Sequence, residues 1–179
     1  MTTFSLPADY SYVTMAAGLI GVVQFGSGFV AMSARKLFQS KAFLDQEKVK
    51  QLQEEHKKHF SEGIQKFGYP DMGNGRYSQL LPYQDWVNFN NAQRSHYNMI
   101  ESSGPVLACL VTSGFMYPKV AAASGFTYAV GHILYSIGYI TKGANGRIVG
   151  AVLSHSNSIF LFLLALYAGA VHVGCICDM

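Results

Sequence analysis

Four apolar segments punctuate the chain, at about Tyr12 to Met32, Asn98 to Tyr117, Val120 to Ile140 and Val149 to Val173. Each is close to the roughly 20 residues that a helix needs to cross a bilayer. Spanning segments are helical because every backbone group must be paired without water. The pattern therefore predicts an all-α fold: one membrane domain over residues 1–179, a bundle of four transmembrane helices. Little more than "YPK" separates the second and third segments. They form a tight antiparallel hairpin, with Pro118 ending the helix before it.

Between the first two segments lies a polar insertion, residues 41–85. Its apolar positions, Phe43, Leu44, Val49, Leu52, Phe60, Ile64 and Phe67, are spaced for an amphipathic helix. That helix is expected to break near Gly63 and to end before Gly68 and Pro70. It suits either a solvated surface helix or a docking surface for another protein. Tyr77, Tyr83 and Trp86 are expected as interfacial anchors.

Composition sharpens this picture. Half of the residues are hydrophobic and only 13% are charged, against about a quarter in a soluble domain. Most charges fall between Arg35 and Arg94, and acidic and basic residues balance from Lys41 to Asp85. That balance excludes a nucleic-acid patch. Every Lys and Arg except Lys119 maps to the first and third loops or their helix ends. These loops are expected to face the cytosol or a mitochondrial matrix, with Asp9 and Asp178 on the other side. The N-terminus has no basic region ahead of an apolar core, so no cleavable signal is evident. Cys109, Cys175 and Cys177 suggest neither a disulfide framework nor a zinc site. No metal site, nucleotide loop or Ser-His-Asp arrangement is apparent. The glycines of the spans, among them Gly18, Gly21, Gly26, Gly28, Gly125 and Gly131, are expected to allow close helix packing.

The chemistry gathers in "FNNAQRSHYNMIE", residues 89–101. On a helix, Arg94, Asn98 and Glu101 fall at i, i+4 and i+7 and share one stripe, while His96 points elsewhere. Two readings are open. The three satisfy each other as a polar zipper, or they bind a peptide-like ligand carrying both a carboxylate and an ammonium. In the third segment Tyr128, His132, Tyr135 and Tyr139 share a face. They are either interfacial belt residues or, at Tyr135 and Tyr139, a cover for that ligand. Arg35, Lys36, Lys142 and Arg147 lie in the same leaflet, suited to lipid headgroups or to an anionic ligand.

The pattern F-N-x-x-Q-R-x-H-x-N-x-x-E, formed by Phe89, Asn90, Gln93, Arg94, His96, Asn98 and Glu101, resembles the glutathione-binding segment of the MAPEG superfamily, the membrane-associated proteins of eicosanoid and glutathione metabolism. Gly131, Tyr135, Gly138 and Tyr139, together with "SARK" at Ser33 to Lys36, are similar to the microsomal glutathione S-transferase branch of the third type. The resemblance implies a left-handed four-helix bundle, a homotrimer in membrane lipid, and glutathione bound between subunits. It implies that Arg35, Arg94, Asn98, Glu101, Tyr135 and Tyr139 line the glutathione site, with Arg147 stabilising the thiolate. The implied activity is glutathione transfer or peroxidase chemistry on lipophilic substrates, in the endoplasmic reticulum or a mitochondrial membrane.

Some positions depart from the family pattern. His132 stands where an Arg is usual, Ser102 where some members have Tyr, and the third loop keeps only Arg147 of several arginines. With the charged insertion, these departures open an alternative: an accessory subunit of a larger membrane complex, such as a mitochondrial respiratory one, with reduced or no catalysis.

Overall fold

The computed structural model describes residues 6–63 and 71–177, and among them every regular element is helical. In chain order the helices are α1 (Tyr10–Ala34), α2 (Lys41–Leu44), α3 (Glu47–Phe60), α4 (Tyr83–Gly114), α5 (Pro118–Lys142) and α6 (Ile148–Cys177). α1, α4, α5 and α6 pack together as a four-helix bundle, with α5 in contact with the other three.

Three of these helices are long and apolar enough to cross a membrane: α1 with the turn after it, α5 with the turn after it, and α6. Their outward residues are apolar, as Phe25 and Leu166 illustrate, both 71% exposed. α4 is the exception in composition. The apolar segment expected from Asn98 is the second part of a helix that already begins at Tyr83. Its 32 residues span about 48 Å at helical rise, more than the roughly 30 Å hydrocarbon core. Arg94, Asn98 and Glu101 lower its mean hydropathy. The turn between α4 and α5 follows the sequence reading: Pro118 is the first residue of α5, where its missing N–H leaves no helical bond unmade.

Inside the bundle, Val13, Ile20, Met99, Val106, Leu110 and Leu161 form the centre of the core. At one end, Tyr10 stacks on Phe115 with ring centroids 5.1 Å apart, and Lys119 pairs with Asp9 at 3.3 Å. Asp178 lies outside the described residues, so Asp9 alone represents the acidic termini here.

α5 and the start of α6 approach until their backbones touch. A β-carbon on Gly138 would collide with the Gly146 carbonyl, and one on Gly150 with the backbone of Tyr135. At Gly131 a β-carbon would stand 2.6 Å from the Ser154 nitrogen. Glycine here lets two backbones touch. The first helix differs from expectation. Among the described residues, a β-carbon on Gly18, Gly21 or Gly26 would meet nothing within 4 Å, because these glycines sit on the outward face, whereas Gly28 has His96 at 3.4 Å.

A second apolar cluster forms outside the bundle core. Phe38, Phe43, Val49, Leu81 and Phe89 close over the end of α1 and the start of α4. The amphipathic segment is two helices rather than one. Ser40 caps α2 by accepting from the Phe43 N–H at 3.3 Å, and α3 stops at Phe60, where Ser61 turns left-handed at φ 59°. Ile64, Phe67, Gly68 and Pro70 lie outside the described residues. Trp86 and Tyr77 are not simple interfacial anchors. Trp86 donates its ring N–H to the Gly73 carbonyl at 3.0 Å, and Tyr77 packs on the second cluster. Tyr83 does remain 79% exposed.

Candidate functional site

The bundle end opposite the Asp9–Lys119 pair carries Arg35, Arg94, Tyr135, Tyr139 and Arg147. α4 places Arg94, Asn98 and Glu101 on a stripe turned away from the bundle core, because the buried face of the same helix runs through Ala92, Ser95, Met99, Ser103 and Val106. Arg94 and Glu101 are exposed and Asn98 is half-buried. His96 points instead to α1, where its Nδ1 shares a hydrogen bond with the Ser27 hydroxyl at 2.8 Å.

The polar-zipper reading fails on the geometry. Among the described residues Glu101 and Arg94 form no ion pair, with each other or with any other side chain. The Asn98 amide donates to the Arg94 carbonyl at 2.7 Å, a bond along the helix rather than between site side chains.

The belt reading of the α5 tyrosines fails as well. Tyr128, His132, Tyr135 and Tyr139 are all buried, and their rings follow one another at centroid distances of 4.6, 5.7 and 5.6 Å. The α5 stripe faces α4 and α6, so it is part of the bundle. Its two outermost hydroxyls each hold a cation. Tyr139 accepts from Arg94 Nε at 3.2 Å. Tyr135 accepts from Arg147 at 3.1 Å, and the Arg147 guanidinium carbon lies 5.1 Å from the Tyr139 ring centre. Arg147 reaches this position because Gly146 and Gly150 bring the start of α6 onto α5.

The structure thus brings Arg94, Tyr135, Tyr139 and Arg147 together. Asn98 and Glu101 continue the stripe from Arg94 toward the middle of α4. Arg35 is half-buried at the end of α1 and within electrostatic range of His96. The rest of the motif does other work. Phe89 belongs to the second apolar cluster, its ring 5.0 Å from Phe38. The Asn90 amide donates to the carbonyls of Gly73 at 3.1 Å and Trp86 at 2.9 Å, tying the preceding loop to α4.

Two positions outside the family pattern meet. The Ser102 hydroxyl lies 3.1 Å from His132 Nε2 and 2.7 Å from the Tyr128 hydroxyl. In the sequence Ser102 stands out only as a departure, with nothing to connect it to α5. The seam at Gly146 and Gly150 also escapes a reading by apolar runs, although G-x-x-x-G is a recognisable packing signal.

Helices of membrane-spanning length, an apolar exterior and a polar, outward-facing site at one end define an integral membrane protein of the four-helix-bundle class. The MAPEG family model matches residues 13–167. The chain belongs to the MAPEG family.

Proposed function

We propose that this protein binds glutathione at the Arg94–Tyr139–Tyr135–Arg147 end of the bundle and uses it on lipophilic substrates, as a transferase or peroxidase of the third microsomal type. Members of the family generally use glutathione as substrate or cofactor. The observation that carries the reading is a pair of arginines, Arg94 and Arg147, each anchored to a buried tyrosine hydroxyl and neither paired with a carboxylate among the described residues. Two preset guanidinium groups suit a ligand with carboxylates and a thiolate. Asn98 and Glu101, one and two turns along, suit its amide and ammonium groups. Arg35 completes the proposed set from the end of α1.

The chemistry is thiolate attack. A free thiol ionises at about pH 8.5, and a neighbouring cation lowers that value. Arg147 spends one of its five N–H donors on Tyr135, leaving others for sulfur. With an electrophilic carbon, the S–C bond forms as the leaving group departs with its electron pair. With a lipid hydroperoxide, the thiolate takes the outer oxygen, the O–O bond breaks and the lipid alkoxide is protonated to the alcohol. A second glutathione then reduces the sulfenic acid, giving glutathione disulfide and water. Because the stripe faces away from its own bundle, a second copy of the chain would close the site, as in a homotrimer. Lipid substrates would enter from the bilayer of the endoplasmic reticulum or mitochondrion.

A second reading, an accessory subunit of a larger membrane complex, draws on the insertion, where Phe60 stays 67% exposed at the end of α3. Calorimetry of glutathione binding to the purified protein separates the two. Wild type is expected to bind and Arg94→Ala to lose at least about tenfold in affinity, the scale of one charged hydrogen-bonding partner. A folded wild type that does not bind overturns the enzyme reading.

A further inference from the structure

Pro105 lies inside α4 and has no N–H to offer the Glu101 carbonyl. The helix therefore lacks one backbone bond in the turn joining the Arg94–Glu101 stripe to the rest of α4. Ser102 sits in that turn. Its hydroxyl lies 2.7 Å from the Asn98 carbonyl, 2.7 Å from the Tyr128 hydroxyl and 3.1 Å from His132 Nε2.

Counting protons orders these bonds. A hydroxyl has one proton and two lone pairs. A carbonyl can only accept, so the Ser102 proton goes to Asn98. Tyr128 O–H and His132 Nε2–H then donate to the Ser102 oxygen, which uses its full capacity. The same count leaves His132 Nδ1 as a bare acceptor, and that atom is buried without a partner among the described residues. Tyr128 and His132 are 0% and 1% exposed, so both donors depend on Ser102. They also belong to the α5 face that presents Tyr135 and Tyr139.

We propose that Ser102 is a positioning residue: it locks the site-bearing part of α4 onto α5 and so sets the affinity for the peptide thiol bound by Arg94, Asn98 and Glu101. The inference rests on the glutathione reading above. Ser102 acts through the helix and through Tyr128 and His132, without touching the ligand.

The test is glutathione calorimetry and steady-state turnover on the full-length protein, comparing wild type with Ser102→Ala, Ser102→Thr and Tyr128→Phe. Ser102→Ala is expected to weaken binding about tenfold, the scale of a lost buried hydrogen-bond node. It should raise KM for glutathione while leaving kcat at saturation near wild type. Ser102→Thr keeps the hydroxyl and should restore affinity to within about twofold of wild type, as a retained hydrogen bond requires. Tyr128→Phe should fall between the two. A folded Ser102→Ala with wild-type affinity overturns the inference and leaves the glutathione reading standing. A wild type that does not bind overturns both. If Ser102→Ala does not fold, Tyr128→Phe decides, and wild-type affinity in that variant overturns the inference.

Discussion

Gly138 of α5 and Gly146 before α6 face each other so closely that a β-carbon on either would run into the other's carbonyl oxygen. This contact sets the level at which Arg147 leaves the loop, and so the bond from Arg147 to Tyr135. Gly138→Ala should therefore act twice. Forcing a methyl group between two packed backbones costs about 1–3 kcal/mol. Moving Arg147 away from Tyr135 should also weaken glutathione binding. A lower unfolding temperature in detergent, together with reduced affinity in the folded fraction, is the expected result. An unchanged unfolding temperature would contradict the seam.

Tyr139 and Arg94 make a separable prediction. Tyr139→Phe keeps the ring on α5 and removes only the acceptor for Arg94 Nε. Arg94 is exposed, so the loss is expected at the lower end of charged hydrogen bonds, about 1.5 kcal/mol, or roughly tenfold in affinity. Stability should change little. Calorimetry beside a thermal melt checks both halves of the statement.

Asn90 should behave in the opposite way. Its amide holds the Gly73 and Trp86 carbonyls and points to the loop, not to the arginine pair. Asn90→Ala should loosen the loop by about 0.5–1.5 kcal/mol, the net worth of a typical hydrogen bond, because the Gly73 carbonyl keeps its bond from the Trp86 ring N–H. Glutathione affinity should stay at its wild-type value. Limited proteolysis of the segment ahead of α4 measures the first effect and calorimetry the second. A loss of affinity without faster cleavage would place Asn90 in the binding site.

The loop also predicts a pH dependence. Partial burial pushes the Asp71 carboxyl upward, but hydrogen bonds from the N–H groups of Ser78, Gly73 and Tyr77 outweigh it and hold the group below its ordinary value of 3.8. A depressed folded value means the carboxylate stabilises the loop fully above the ordinary value. That contribution is lost as pH falls through the folded value. Protection of this loop from proteolysis should be flat from neutral pH down to about pH 5 and decline well below about pH 4, in line with carboxylate linkage. Asp71→Asn should lose protection already at neutral pH and flatten the acid decline. An acid-stable protease suits the low-pH measurement.

Much of this protein is legible in its sequence. Apolar runs of spanning length dictate helices, because hydrocarbon leaves backbone groups no partners but their own. Pro118 marks the α4–α5 turn, and helical spacing alone puts Arg94, Asn98 and Glu101 on one stripe and Tyr128, His132, Tyr135 and Tyr139 on another. The family pattern in residues 89–101 is equally visible. What spacing cannot supply is the neighbour each stripe faces. Periodicity determines which residues of one helix share a side, but the side they meet depends on how the helices rotate and approach. Only the tertiary structure buries the α5 tyrosines, turns the α4 stripe outward and joins Ser102 to His132. It also divides the motif, giving Phe89 and Asn90 to the loop and Arg94 to the site, because residues one turn apart on α4 meet different elements. The close approach at Gly138, Gly146 and Gly150 is the physical reason that Arg147 meets Tyr135, one helical turn from the tyrosine that Arg94 holds.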